Sequence, residues 1–193
     1  MGWSREEIER IRDEARRLEA ARDRLIELAR EAIKRSKNAI YAAIREDLKA
    51  AAGELSACWR AIEALDGLQA GEPALFGEEI AAVARGEAVE AEAVVRVAGG
   101  GALPRPDELP VAVDLVAYLQ GLLDATGELL RAAGERLLAG DRAFAERAKA
   151  AIEAVYFLAL EAAPKRYDLR RKLDYVAGNL QKLTEARLWA RPC

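Results

Sequence analysis

The chain has 193 residues, 52% of them hydrophobic, with 30 Lys and Arg against 33 Asp and Glu, no His and two Cys. That is length and apolar mass enough for one soluble globular domain spanning residues 1–193. The missing His excludes imidazole general bases, Ser-His-Asp and Cys-His nucleophiles and His-ligated metal sites; Cys58 and Cys193 are too few for a zinc cluster or a disulfide framework, so a reducing, cytosolic compartment is expected.

The opening Met-Gly-Trp-Ser-Arg-Glu-Glu lacks the apolar stretch of a signal peptide, and no apolar run approaches membrane-spanning length. A soluble, cytoplasmic protein with no membrane partner is expected. Residues 4 to about 46 contain neither Gly nor Pro and are rich in strong helix formers, which predicts one very long helix. Ser4-x-x-Glu7 has the spacing of a capping box at its start. Apolar residues recur near-heptad at Ile8, Ile11, Ala15, Leu18, Leu25, Leu28, Ala32 and Ala39, broken at Arg22 and at Arg35 or Ser36. A helix of this length should project or pack against partner subunits.

Gly and Pro punctuate further helices at roughly 47–66, 74–97, 109–139, 142–162 and 165–188. Residues 99–106, with three Gly and two Pro, form the one clear long loop. No alternating strand pattern and no repeat appear, so the fold expected is an all-α helical bundle.

Two acidic pairs interrupt this apolar pattern. In the third helix the seam Ile80, Val83, Glu87, Glu90, Val94, Val97 places two acids one turn apart on a stripe that otherwise reads as buried. Burying a carboxylate without a partner costs several kcal/mol, roughly, so a cation should meet them. The fourth helix carries Asp124 and Glu128, with Arg131 one turn on, opposite the stripe Leu115, Leu119, Leu122, Thr126, Leu129, Ala133. Their face holds the small residues Ala117, Gly121 and Ala132, which permit close helix approach. If the two helices face each other, four carboxylates form an all-oxygen set suited to Mg²⁺ or Mn²⁺. The alternative is a solvated acidic face, with a stripe through Ala81, Ala84, Ala88 and Val95 leaving Glu87 outside.

Three Ser and two Thr occur, none within a nucleophile-elbow or P-loop pattern, so any chemistry falls to carboxylates, Lys, Tyr or a hard metal ion. A His-free carboxylate site would fit metal-assisted phosphodiester hydrolysis, and nucleotide hydrolysis equally well. Net charge runs +2 over residues 1–50, −9 over 51–140 and +4 over 141–193, as for cation binding beside a polyanion or for ordinary uneven surface charge. Arg30, Lys34, Arg35 and Lys37 in the first helix, and Lys165, Arg166, Arg170, Arg171 and Lys172 in the last, are candidate phosphate contacts or plain helix surface.

The run 118–131, Tyr-Leu-Gln-Gly-Leu-Leu-Asp-Ala-Thr-Gly-Glu-Leu-Leu-Arg, continuing to Gly140 and Asp141, resembles the signature helix of the translin superfamily, specifically its factor X branch. Glu87-Ala-Val-Glu90-Ala resembles that family's acidic segment. Ser36-Lys37 with Ile40 and Arg45 resembles its first-helix segment, and Lys165-Arg166-Tyr167-Asp168 with Leu173 and Leu180 its last helix. The resemblance covers most of the chain from about residue 25.

It implies an all-α fold, assembly into a hollow octamer and binding of single-stranded RNA or DNA. Translin itself binds without the catalytic acids, whereas the factor X branch is a Mg²⁺-dependent endoribonuclease. The family's metal-binding acids fall on Glu87, Glu90, Asp124 and Glu128, and Lys37 matches a basic residue beside them. Ala117 departs from the family, which often has Asp there. The expectation is therefore a homo-oligomeric endoribonuclease in which those four acids hold Mg²⁺, with Mn²⁺ as substitute, while Lys37 and Arg131 neutralise phosphate. Its rivals are a translin-like binder without catalysis and a purely structural helical assembly.

Overall fold

The computed structural model describes residues 2–162 and 167–189, with the backbone alone at 167, 168 and 186–189. Six helices follow one another, α1 (Arg5–Ile44), α2 (Leu48–Gly71), α3 (Glu79–Ala98), α4 (Leu115–Leu138), α5 (Arg142–Ala162) and α6 (Tyr167–Trp189), with no strand among the described residues. The all-α expectation holds. α1 packs on α2 and α3, α3 on α4, and α4 on α5 and α6, so the α3–α4 pair is the middle of the bundle.

The 40-residue α1 is closed at its start by the capping box: Glu7 N donates to Ser4 Oγ (3.2 Å) and Ser4 N to Glu7 Oε2 (2.7 Å). At 1.5 Å per residue it is about 60 Å long. The 24-residue α2 and 20-residue α3 cannot cover it. Its fully buried side begins only at Leu25 and continues through Ala29, Ala32, Ser36, Ala39, Ile40 and Ala43. Ile8 and Ile11, on the same predicted stripe, stand in solvent, and Ile11 is 58% exposed. Arg17 and Arg22 anchor the transition, pairing with Glu72 (2.7 Å) and Glu78 (2.6 Å) in the α2–α3 connection.

The predicted boundaries need three corrections. α2 runs on through Gly67 to Gly71, α3 begins at Glu79 rather than near 74, and α4 begins at Leu115 rather than near 109. Leu109 is extended, as a residue preceding Pro110 is driven to be. The first turn of α4 forms only where Asp114 Oδ1 can accept from Val116 N and Ala117 N, both at 3.0 Å. The loop is thereby lengthened to residues 99–114 and pinned to the bundle by Tyr118 Oη donating to Pro104 O (2.8 Å) and by Arg96 bonding Glu108 (2.9 Å).

α3 differs from the predicted seam in a way that matters for the site. Residues 88, 89, 91, 92, 93 and 94 are all buried, because α3 is enclosed by α1, α2 and α4 on three sides. Val83, placed on the seam by spacing, is 46% exposed, while the alternative positions Ala81, Ala84 and Ala88 are buried. Leu115, at the head of the predicted α4 stripe, is also exposed, whereas Leu119, Leu122, Thr126, Leu129 and Ala133 are buried as expected.

Candidate active site

The α3–α4 contact is made without side chains. A Cβ on Gly121 would stand 2.3 Å from Gly86 O, 2.8 Å from Val89 Cβ and 3.1 Å from Glu90 N, so only glycine fits there. Ala117 is buried in the same contact, its carbonyl 3.6 Å from where a Cβ of Gly86 would be. Contacts advance together along both helices, Gly86 beside Ala117 and Glu90 beside Gly121. Glu90 and, one and two turns beyond Gly121, Asp124 and Glu128 therefore emerge into one region.

The electrostatics record that convergence. Glu90 is largely buried, and its pKa is pushed up to about 8, first by desolvation and then by the negative charges of Glu87, Asp124 and Glu128, with Lys172 acting in the opposite direction. The other three predicted acids thus all act on Glu90. Glu87 stays half-buried, as the seam suggested, in spite of the neighbouring Ala81–Ala84–Ala88 face.

Each of the other three acids has a partner of its own. The buried Ser36 donates through Oγ to Ile33 O (2.8 Å) and to Glu87 Oε2 (3.3 Å). Lys172 of α6 pairs with Asp124. Arg131 grips Glu128 Oε2 through Nη2 (2.6 Å) and Nε (3.2 Å), reaches Glu135 (3.3 Å), and lies 5.7 Å over the Tyr41 ring. Glu90 has no hydrogen-bond partner among the described residues. No three acids stand at metal-ligand spacing among the described residues. The donor chemistry nevertheless fits a hard divalent ion: oxygen ligands, surplus negative charge, and one carboxyl that burial and its neighbours keep protonated.

Glu92, two residues away on α3, is the instructive contrast. It is also buried, yet it accepts from Trp59 Nε1 (2.8 Å) and Arg96 Nε (2.7 Å), a fully paired structural carboxylate. Cys58 is buried nearby with its thiol donating to Ala32 O (3.3 Å), and burial followed by the charges of Glu87 and Glu92 pushes its pKa up to about 12. A buried thiol raised this far stays protonated and is a poor nucleophile.

The basic candidates separate into groups. Arg30, Lys34, Lys37 and Tyr41 recur at helical spacing on one exposed stripe of α1, and no ion pair engages the three cations among the described residues. Tyr41 meets Arg131 at the end of that stripe, so the stripe leads toward Glu128. Arg35, by contrast, is committed to Glu31 (2.7 Å) and Glu54 (3.1 Å). Arg170 and Arg171 are exposed on α6. Lys165, Arg166 and Cys193 lie outside the described residues.

No family model matches the sequence, and no curated protein is significantly similar to it. Solved structures are. The crystal structure of apo-NeC3PO is 30% identical, with a TM-score of 0.88 over 98% of this chain and 100% of that one. The structure of AfC3PO in complex with duplex RNA is 28% identical, with a TM-score of 0.83 over 95% of both chains. The crystal structure of AfC3PO is 28% identical, with a TM-score of 0.82 over 95% of this chain and 96% of that one. The chain belongs to the C3PO (translin/TRAX) family.

In this C3PO-family chain, two residues touch the acids without the sequence having pointed to that contact: Ser36, and Lys172, which reads there only as a candidate phosphate contact. Ser36 had a trace of a signal, as a polar break in an apolar stripe. Lys172 had none beyond its place in a basic run, because only packing decides which cation of such a run turns inward.

Glu90 also makes stability depend on pH. Its folded pKa of about 8 lies above the ordinary 4.5, so the folded chain holds a proton the unfolded chain gives up. The stability tied to that proton is fully present below pH 4.5 and is lost as pH rises through 8. Glu90→Gln, neutral at every pH, is expected to be more stable than wild type at pH 8.5 by roughly 2–4 kcal/mol and to match it near pH 4.5. Urea unfolding across that range, without divalent ions, checks this; a difference that does not vary with pH would refute it.

Proposed function

We propose that this C3PO-family chain is a metal-dependent endoribonuclease acting on single-stranded RNA and assembled as a hollow homo-octamer. The observation that carries the reading is the close α3–α4 contact at Gly121, beside which the buried Glu90 is raised in pKa by the charges of Glu87, Asp124 and Glu128. Such a cluster is disfavoured unless a cation compensates it, and its oxygen-only chemistry selects Mg²⁺, with Mn²⁺ as substitute. Those four side chains would hold the ion, which when bound supplies charge stabilisation at the phosphoryl oxygens and a more acidic water.

The chain's own residues do the rest. Ser36 orients Glu87, and Arg131 orients Glu128 while its guanidinium stays beside the path of the phosphates. The stripe Arg30, Lys34, Lys37 binds the backbone of the strand by charge, and Tyr41 offers an exposed ring for a base. Arg170 and Arg171, with Lys165 and Arg166, extend that basic surface, and single-stranded DNA is a second candidate ligand. Sequence-tolerant cleavage follows, since nothing in this arrangement reads base edges.

Assembly is supported by apolar surface left uncovered in the single chain: Trp3 just ahead of α1, Ile8 and Ile11 on its projecting part, and Phe157 and Leu160 on α5. A cytoplasmic location is supported by the free, unreactive thiol of Cys58. Among the described residues no helix is long and apolar enough to cross a membrane.

A second reading, a translin-like binder without catalysis, is favoured by one observation, that Ser36, Lys172 and Arg131 already partner three of the acids. One assay separates the two. The purified protein is expected to cut an unstructured RNA oligonucleotide in Mg²⁺ or Mn²⁺ and not in EDTA. Parallel arms with duplex RNA, the ligand of AfC3PO, and with single-stranded DNA define the substrate. Retention of RNA without product at any metal concentration would establish the binder and overturn the nuclease.

A further inference from the structure

α6 reaches the acid cluster through one side chain of known position, Lys172. Its ammonium pairs with Asp124, and its positive charge is felt at Glu90. Elsewhere on α6, Leu169, Val176 and Leu183 are buried at seven-residue spacing, with Leu173 and Leu180 half-buried against the same core. Between Val176 and Leu183, Asn179 is fully buried with neither its Nδ2 nor its Oδ1 hydrogen-bonded among the described residues. An unpaired buried amide penalises the docked position of the helix. α6 therefore sits on α4 by apolar contact that Asn179 weakens and by an ionic contact that Lys172 supplies.

We propose that Lys172 is a resident counter-cation, a positioning residue that competes with a divalent ion for Asp124, so that filling the acid cluster releases the 169–176 segment of α6. The inference rests on reading the four acids as a metal site. A lysine ammonium and a divalent cation on the same carboxylate repel each other, and the ion, facing three further acids, holds the stronger claim. Once displaced, Lys172 no longer ties α6 down. By linkage, whatever holds α6 in place weakens ion binding by the same factor.

The test uses the whole chain and Mn²⁺ alone. Binding is titrated calorimetrically or by the paramagnetic signal of free Mn²⁺, and hydrogen exchange is followed at amides 169–176. Lys172→Gln is expected to bind Mn²⁺ roughly three- to tenfold more tightly than wild type, with Lys172→Arg close to wild type. Mn²⁺ should speed exchange of 169–176 in wild type and in Lys172→Arg. In Lys172→Gln that segment should already exchange quickly, with no further change on adding the ion. Equal Mn²⁺ affinity in wild type and Lys172→Gln overturns the inference alone, as does exchange in wild type that the ion leaves unchanged or slows. Failure of every variant to bind Mn²⁺ overturns the metal site and the inference together.

Discussion

Asp124→Ala and Glu128→Ala are each expected to lower RNA cleavage by about a thousandfold or more, an effect of the size seen when a group that stabilises transition-state charge is removed. Neither side chain supports the core. Asp124 projects from α4 toward Lys172, and Glu128 is held at the surface by Arg131, which keeps Glu135 as a partner when Glu128 is gone. The helical circular dichroism and the native mass of the assembly should be unchanged. Removing either charge also relieves Glu90, so Glu128→Ala should unfold at the same or higher temperature than wild type in the absence of metal, while Asp124→Ala, which also frees Lys172, should in addition exchange faster at amides 169–176. Loss of activity together with retained or increased stability distinguishes a catalytic role from a structural one. Cleavage at the wild-type rate by both variants would overturn the assignment of the site.

Gly121→Ala is expected to damage both the fold and the site. The added methyl would lie 2.3 Å from a backbone carbonyl, that of Gly86, which cannot rotate away as the end of a side chain can. α3 and α4 must separate at the point where the acids on both emerge. Alanine's helix propensity returns about 1 kcal/mol. Overpacking between two central helices costs more, and a net loss of roughly 2–4 kcal/mol follows. For a chain of this length that is a fall in melting temperature of about 5–15 °C. Gly134→Ala supplies the control, since it lies in the same helix and its added Cβ meets nothing within 4 Å. That variant should match wild type or exceed it slightly. If both substitutions behaved alike in urea unfolding, the close helix contact would not exist. With Glu87 and Glu90 displaced from Asp124 and Glu128, Gly121→Ala should also bind Mn²⁺ more weakly than Gly134→Ala does.

The acid cluster explains why a bundle so rich in alanine places charge at its centre. Glu92 and Glu90 stand two positions apart on α3 and reach opposite outcomes, one satisfied by Trp59 and Arg96, the other raised in pKa with no partner of its own. A fold selecting only for stability would pair both or bury neither. Retaining Glu90 beside three like charges is the kind of local conflict that functional sites carry.

Much of this was legible without coordinates, because it depends on local chemistry. Helix formers without Gly or Pro make α1, Ser4 and Glu7 close its end, and glycines and prolines open the loop after α3. The i, i+3 and i, i+4 spacing of Glu87, Glu90, Asp124 and Glu128 follows from 3.6 residues per turn wherever the helices lie. Other features depended on neighbours far away in the chain. Spacing defines two candidate faces on α3 and does not choose between them; enclosure by three helices does, which buries Ala81 and Ala84 and leaves Val83 in solvent. Pro110 and the Asp114 cap moved the start of α4, and the length of α1 relative to α2 and α3 set how much of it projects. Ser36 and Lys172 meet Glu87 and Asp124 across separations of 51 and 48 residues, contacts no local pattern encodes. Local sequence makes the helices and sets the acids on them; the packing of α3 on α4 at Gly86 and Gly121 brings the charges of α4 to bear on Glu90, because only backbones in contact bring side chains of two helices so close.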